Sequence, residues 1–255
     1  MRLIDSHCHL DADEFDADRD VVIDRAEAAG VVAQVVPATT AAGWAKLREV
    51  CAARPGLHPA YGLHPVFLET HHPADLDLLE EWIIRERPCA IGECGLDYFI
   101  ESLDRDAQAH YFDGQLALAA KHGLPVIVHA RRAVEAVIQA IRRAGEVRGV
   151  VHSFAGSPEQ ARQLWERGFL IGLGGPVTYA RANRLRQLAA TMPLQYLLLE
   201  TDAPDQPDAQ IRGERNEPAR LAHVAAVIAE LRGEPVEEIA ARTADNARQL
   251  FALAG

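Results

Sequence analysis

The sequence predicts an α/β protein of the (β/α)8 barrel type. Short β-branched runs alternate with longer helical patterns along almost the whole chain, eight such runs can be counted, and no linker or shift in composition divides them. Eight strands in strand–helix alternation are typical of a TIM barrel, which folds as one unit at about 250 residues. We therefore expect one barrel domain over residues 1–255, with a doubly wound open sheet as the alternative, because a sequence does not show closure.

The predicted strands are nearly continuous apolar runs, which is typical of parallel strands that are covered on both faces. In chain order they are Leu3–Ile4, Val31–Val36, His58–Leu63, Cys89–Ile91, Val126–Val128, Val150–Val151, Leu170–Gly172 and Tyr196–Leu199.

Two helices have the clearest patterns. Asp104–His122 has acids in its first turn and apolar residues at helical spacing. Asn216–Arg232 offers an asparagine cap, a proline in its first turn and one apolar stripe. Residues 202–216 lie between the last strand and this helix, and a loop of that length is usually functional or mobile.

The charge balance limits the possible partners. The chain has 37 acidic and 26 basic residues, with a formal net charge of −11. A broad duplex-binding face needs a basic stripe, so this class is disfavoured. A nucleic-acid end captured by bound metal ions remains possible, because the ions can supply positive charge.

The cysteines and the N-terminus indicate the compartment. The four cysteines, Cys8, Cys51, Cys89 and Cys94, have no paired spacing and are expected to be free thiols in a reducing environment. The start of the chain lacks an apolar signal region, and no apolar run approaches the roughly 18 residues of a membrane span. We expect a soluble, cytoplasmic protein without membrane association, and the sequence indicates no obligate protein partner.

Histidines and carboxylates gather at one end of the predicted barrel. Five of the 11 histidines lie at or just past the C-terminal ends of strands, namely His7, His9, His64, His129 and His152. Glu93 and Asp202 follow two further strands. Barrel active sites are built at this end, and imidazole with carboxylate suits zinc, manganese or magnesium. The sequence therefore predicts a metal site there.

His7 and His9 are the sharpest local signal, because residues i and i+2 of an extended strand point to the same side. Such a pair alone is weak evidence, and the convergence of all the residues decides the interpretation. Glu93 could instead serve the helix that follows, and Asp202 could merely begin a turn. Asp5 is expected to orient a histidine, and Cys8 and Cys94 are expected to be packed thiols.

These residues, in this order, resemble the TatD family of metal-dependent DNases and related hydrolases. The matching motifs span almost the whole chain: DSHCHLD at 5–11, GLHP at 62–65, GECGLDY at 92–98, HAR at 129–131, HSF at 152–154, ETDAP at 200–204, RNEP at 215–218 and TADNARQLF at 243–251. The loop after the last strand looks like the branch whose members are called metal-dependent hydrolases.

The resemblance implies a barrel with two divalent ions (Zn, Mg or Mn). One ion would be held by His7, His9, Glu93 and Asp202, and the other by Glu93, His129 and His152, with Glu93 bridging. His64, Arg131 and Arg215 would line the pocket for the substrate phosphate. Asp202 and Glu93 are the expected catalytic residues, with Asp202 also accepting a proton from the attacking water.

The expected function is a metal-dependent phosphodiesterase, a DNase that acts on DNA strand ends or another phosphodiester substrate. The first alternative is an amidohydrolase-type enzyme acting on a small molecule or on an ester such as aminoacyl-tRNA. Many such enzymes use a carboxylated lysine, whereas Lys46 and Lys121 both fall in predicted helices. The second alternative, a barrel without catalysis, is disfavoured by the complete ligand set.

Overall fold

Eight parallel strands form a single sheet in sequence order. The computed structural model describes residues 1–253, and each strand pairs in parallel with the next. The strands are β1 (Leu3–Asp5), β2 (Val31–Pro37), β3 (Leu57–Tyr61), β4 (Ala90–Asp97), β5 (Val126–Arg131), β6 (Gly149–Val151), β7 (Phe169–Leu173) and β8 (Leu197–Leu199).

Backbone hydrogen bonds close the sheet between its first and last strands. The Ser6 N–H donates to the Leu199 carbonyl at 3.0 Å, and the Asp202 N–H donates to the His7 carbonyl at 2.9 Å. The sheet is therefore a barrel rather than an open sheet, and the predicted (β/α)8 class is confirmed.

Helices alternate with the strands. They are α1 (Arg19–Ala28), α2 (Trp44–Ala53), α3 (Asp75–Glu86), α4 (Arg105–His122), α5 (Val134–Ala144), α6 (Pro158–Trp165), α7 (Asn183–Thr191), α8 (Leu221–Arg232) and α9 (Val236–Phe251). The helix predicted over Asp104–His122 is present as α4, and the Asp104 side chain caps it by accepting from the N–H groups of Asp106 and Ala107. Among residues 1–253, no helix has the length and apolar character to cross a membrane.

The predicted start of α8 is wrong. The helix begins at Leu221, after a short 3-10 turn over Pro218–Arg220. Asn216 is buried, and its side-chain amide donates to the carbonyls of Thr201 and Asp205 at 2.8 Å each. The asparagine therefore holds the loop after β8 in place instead of capping a helix.

The barrel interior is apolar and is closed at the N-terminal ends of the strands by α9. The interior side chains from the strands are Ile4, Val35, Ala60, Ala90, Ile127, Val150 and Leu198. Ala244, Ala247, Leu250 and Phe251 of α9 join the same cluster. This end is filled by hydrocarbon, so polar chemistry is confined to the opposite end.

Strands β4 and β5 extend further than their apolar runs predict. We expected them to end at Ile91 and Val128, but the pairing continues through Gly95 opposite His129 to Asp97 opposite Arg131. Polar side chains end the apolar pattern there, while the backbone hydrogen bonds continue. Glu93 and His129 therefore lie within strands, where the sheet restricts their orientation.

Replacing Phe251 by alanine should destabilise the protein, because this ring is 2% exposed beneath the barrel interior. Truncating a buried phenylalanine lowers the free energy of unfolding by about 3–5 kcal/mol. Denaturant titration followed by circular dichroism measures the change. Ile84→Ala on α3, where the side chain is 62% exposed, is the control and should stay within about 0.5 kcal/mol of wild type. Equal stability of Phe251→Ala and wild type would contradict the role given to α9.

Candidate metal centre

Four ligand atoms meet on one side of the Glu93 carboxylate. His7 Nε2 lies 3.2 Å from Glu93 Oε2, 3.4 Å from Asp202 Oδ1 and 3.2 Å from His9 Nε2. His9 Nε2 lies 3.5 Å from Glu93 Oε2 and 3.6 Å from Asp202 Oδ1. Ligand atoms about 2.0–2.2 Å from a tetrahedral zinc ion are about 3.3–3.6 Å apart. The spacing therefore fits one divalent cation.

The other oxygen of Glu93 faces a second group. Glu93 Oε1 lies 3.2 Å from His129 Nδ1 and 2.7 Å from His152 Nε2, and these two nitrogens are 3.4 Å apart. Glu93 Oε1 is buried without a standard hydrogen-bond partner among the described residues. These three atoms could hold a cation through the second carboxylate oxygen.

Hydrogen bonds on the far side of two rings direct their lone pairs inward. His9 Nδ1 lies 3.1 Å from the Pro37 carbonyl, and His129 Nε2 lies 2.9 Å from Asp97 Oδ2. These oxygens only accept, so those ring nitrogens carry the protons. The opposite nitrogen of each ring is left free to bind a metal, and a carboxylate behind a ligating histidine is common at metal sites.

His64 has the reverse arrangement. Its Nδ1 accepts from the Val66 N–H at 3.1 Å, so a neutral ring carries its proton on Nε2. That Nε2 lies 3.1 Å from Glu93 Oε1. His64 therefore enters the centre as a hydrogen-bond donor, which suits contact with a substrate oxygen better than ligation.

The charges of the centre are strongly coupled. Burial alone would raise the pKa of Glu93, but His152, His64 and His7 outweigh it and hold that pKa well below its usual range. Burial would lower the pKa of His152, whereas the Glu93 carboxylate raises it to about 9. For His7, burial and the neighbouring His152 lower the pKa to about 4. The buried carboxylates thus require positive charge beside them, and a divalent ion can supply it.

The centre lies at the floor of a large cavity formed by the loops after the strands. Its volume is about 1560 Å³, and Glu93, His9, His64, His129 and Asp202 are among its lining residues. Typical small-molecule pockets hold roughly 300–1,000 Å³. The cavity is therefore larger than a typical small-molecule pocket.

Comparison with known proteins identifies the family. The family model described as TatD related DNase matches residues 4–252. The chain belongs to the TatD family. YjjV of Escherichia coli strain K12, an uncharacterized metal-dependent hydrolase, is 42% identical over 254 residues, with 98% of each chain covered. The crystal structure of YjjV, a TatD homologue, superposes with a TM-score of 0.95 at 40% identity and covers 99% of both chains.

Another relative has a more specific name. The 3'-5' ssDNA/RNA exonuclease TatD of Erwinia tasmaniensis is 36% identical over 268 residues, covering 98% of this chain and all of that protein (100%). Together, these matches make the chain a metal-dependent hydrolase of the TatD family, and its histidine and carboxylate clusters are able to bind metal.

The structure separates the two arginines that the resemblance implies at the substrate pocket. Arg131 lines the cavity, and its Nε donates to Asp97 Oδ2 at 2.6 Å. Arg215 makes two hydrogen bonds to Asp18, at 2.9 and 2.6 Å, and is not among the described residues that line the cavity. Arg215 therefore ties the loop after β8 to the segment before α1.

Neither lysine of this TatD-family chain reaches the centre. Lys46 on α2 pairs with Asp13 at 2.6 Å and Asp16 at 2.8 Å, and Lys121 on α4 pairs with Glu80 at 2.6 Å. A carboxylated lysine between two metals is therefore not available here, which disfavours that form of the amidohydrolase alternative.

Three supporting residues lie beside Asp202 and His152. Gln206 donates to Asp202 Oδ2 and accepts from the Ser153 hydroxyl at 2.7 Å. The Ser153 N–H donates to Glu200 Oε1 at 2.5 Å, which fixes the loop that carries His152. Sequence reasoning did not assign Gln206, and no motif at its position points to it.

Asp97 was also not predicted to be a site residue, although its spacing from Glu93 in the sequence indicates such a role. It lies four residues after Glu93 in a strand, so both side chains point to the same side, toward His129. Its pKa is below the usual range, because hydrogen bonds from His129 and Arg131 outweigh the effect of burial. Asp97 therefore stays charged and orients the candidate ligand His129.

Two expectations for the residues around His7 and His9 can be compared with the structure. Asp5 accepts from the backbone N–H of His7 at 3.2 Å, so it positions this residue through the backbone and not through the ring. Cys8 and Cys94 are buried with raised thiol pKa values, due mainly to burial. Both are packed thiols, as predicted.

Asp97→Asn should weaken metal binding without unfolding the protein. Loss of the carboxylate removes the charged acceptor behind His129, and changes of this kind typically lower metal affinity 10- to 100-fold. Competition with a chromogenic chelator measures the affinity. Asp245→Asn on the surface of α9 is the matched control and should bind metal as wild type does. Wild-type affinity in Asp97→Asn would contradict the role of this residue.

Proposed function

We propose that this protein is a metal-dependent phosphodiesterase that cleaves nucleic-acid strands, above all DNA, at their ends. The reaction would use a pair of divalent ions (Zn, Mg or Mn). The observation that carries the proposal is the division of the Glu93 carboxylate between two groups of ligand atoms, His7, His9 and Asp202 on one side and His129 and His152 on the other. Paired metals of this kind are typical of enzymes that hydrolyse phosphodiesters.

When bound, the two ions would stabilise charge on the attacking and leaving oxygens of the phosphodiester. Asp202 accepts the proton of the attacking water. Its pKa is about 2, because interactions with His9, His152 and His7 outweigh burial, so it is ionised at neutral pH. Gln206 binds Oδ2 of this carboxylate and thereby keeps Oδ1 directed toward His7 and His9.

Two further residues would bind the substrate phosphate. His64 Nε2, which lies beside Glu93 Oε1, would donate a hydrogen bond to a phosphate oxygen. Arg131 keeps part of its guanidinium available, because its Nε binds Asp97 while the side chain is 45% exposed. An arginine is suited to this task, since its planar guanidinium can bind two phosphate oxygens.

Charge at the cavity mouth supports action at strand ends. Asp11, Asp13 and Glu14 follow β1, and Asp205 follows β8, so one side of the mouth is acidic. A phosphate backbone that continued across this side would be repelled. A strand that stops at the centre avoids the repulsion, so an end is a better substrate than an internal site.

Purified protein should contain about two divalent ions per chain, and Glu93→Gln should lower the occupancy of both sites. The amide replaces the carboxylate that the two groups of ligands share, so each ion loses a negatively charged ligand. Metal analysis after dialysis gives the stoichiometry, with Glu80→Gln as the surface control. A single ion in wild type, or full occupancy in Glu93→Gln, would contradict the paired-metal proposal.

Asp202→Asn should nearly abolish hydrolysis and preserve the fold. Loss of a general base typically lowers the rate 10²- to 10⁴-fold, and the weaker metal ligand adds to the effect. Initial rates on labelled single-stranded DNA and on a chromogenic phosphodiester give the comparison, with Asp113→Asn on α4 as the control. Activity within a few-fold of wild type would show that another residue accepts the proton.

A further inference from the structure

An exposed aromatic ring lies against two arginines at the mouth of the cavity. Phe99 follows β4, and its side chain is 49% exposed. The guanidinium carbons of Arg131 and Arg132 lie 4.4 and 4.7 Å from the centre of its ring. All three residues line the cavity. A half-exposed phenyl ring with two cations against it offers both a stacking surface and positive charge.

The position of this group is defined by the order of the strands. In a ring of eight strands in sequence order, β4 and β5 lie across from β8 and β1. Phe99, Arg131 and Arg132 therefore stand opposite the acidic side of the mouth formed by the loops after β1 and β8. A polyanion that reaches the centre is attracted to the side of β4 and β5 and repelled from the other.

Three other charged residues line the cavity, and two of them, Lys46 and Glu135, lie on the side of opposite charge. Lys46 is held by the acidic side through Asp13 and Asp16. Arg184 donates to the Ala155 carbonyl at 2.8 Å, in the loop after β6. Glu135 is an acid at the start of α5, and Gln139 donates to it at 2.8 Å.

Asp97 connects the aromatic ring to the metal centre. Its Oδ1 accepts from the backbone N–H groups of Phe99 at 2.9 Å and Ile100 at 3.2 Å. Its Oδ2 accepts from His129 Nε2 at 2.9 Å and from Arg131 Nε at 2.6 Å. The loop that carries Phe99 is thus held at a fixed distance from a candidate metal ligand, as a site that positions a substrate requires.

We propose that Phe99, with Arg131 and Arg132, binds one nucleotide next to the scissile phosphate, with its base stacked on the Phe99 ring. The proposal rests on the proposed function and adds to it a binding site for one unpaired base. A base within a duplex is already stacked on its neighbours, whereas an unpaired base can stack on an aromatic or arginine side chain. Such stacking is sequence-tolerant, because every base presents a flat face.

The test combines a missing base with a missing ring. Single-stranded DNA substrates carry a tetrahydrofuran abasic nucleotide at each of the last three positions in turn, at either end. In wild type, one position should show a loss of kcat/KM of about 5- to 100-fold relative to the natural base. In Phe99→Ala, natural DNA should be cleaved about as slowly as this abasic DNA, so that the penalty at that position disappears. In Phe99→Trp, the abasic penalty at that position should return.

Phe67→Ala is the matched control, because Phe67 is another half-exposed ring in the cavity (41% exposed), on the segment after β3. The penalty at the same position should persist in this variant. Thermal melting of all variants verifies the fold, and turnover of a chromogenic phosphodiester without a nucleobase verifies that the metal centre of each variant is active.

The outcomes separate this proposal from the proposed function. If wild type cleaves DNA and the abasic penalty persists in Phe99→Ala, or if no position shows a penalty, the stacking site is wrong and the phosphodiesterase stands. If wild type with added metal cleaves the chromogenic substrate but no oligonucleotide, the nucleic-acid substrate and the stacking site are both overturned. If it cleaves neither, the proposed function itself is wrong.

Discussion

A carboxylate buried at the mouth of a barrel is stable only when positive charge or hydrogen-bond donors surround it. Glu93 is in that position, with 1% of its surface exposed and imidazole nitrogens within 2.7–3.5 Å of both oxygens. The requirement explains why histidines follow so many different strands, since each strand can deliver only one or two side chains to this point. The hydrophobic interior and α9 lie at the other end of the barrel. The polar centre of this metal-dependent hydrolase therefore does not disrupt the core that stabilises the fold.

The backbone of β4 and β5 is adapted to this carboxylate. Gly95 has φ +132°, and a Cβ at this position would lie 2.1 Å from the backbone oxygen of His129. Any side chain there would push the two strands apart. Close pairing of these strands places Glu93 beside His129 and Asp97 beside Arg131. The second glycine of the GECGLDY motif therefore serves the geometry of the centre.

Most of the fold and the residues that cluster around Glu93 could be predicted from the sequence, because apolar periodicity and the order of the strands determine which side chains share one end of a barrel. Three features could not. The extension of β4 to Asp97 depends on backbone pairing that polar residues conceal. The burial of Asn216 under the loop after β8 depends on carbonyl groups 15 and 11 residues earlier in the chain, and the pairing of Arg215 with Asp18 spans 197 residues. Local patterns carry no information about such contacts.

The net charge of −11 is unfavourable for a protein that acts on a polyanion, but the distribution of charge matters more than its sum. Acidic residues on the loops after β1 and β8 face Arg131 and Arg132 across the cavity mouth. Under the proposed function, divalent ions at Glu93 would place positive charge between these two sides. A strand would then be drawn in along the arginines, bound at the ions and stopped by the carboxylates beyond them. Under that function, the same acidic residues would define where the substrate ends.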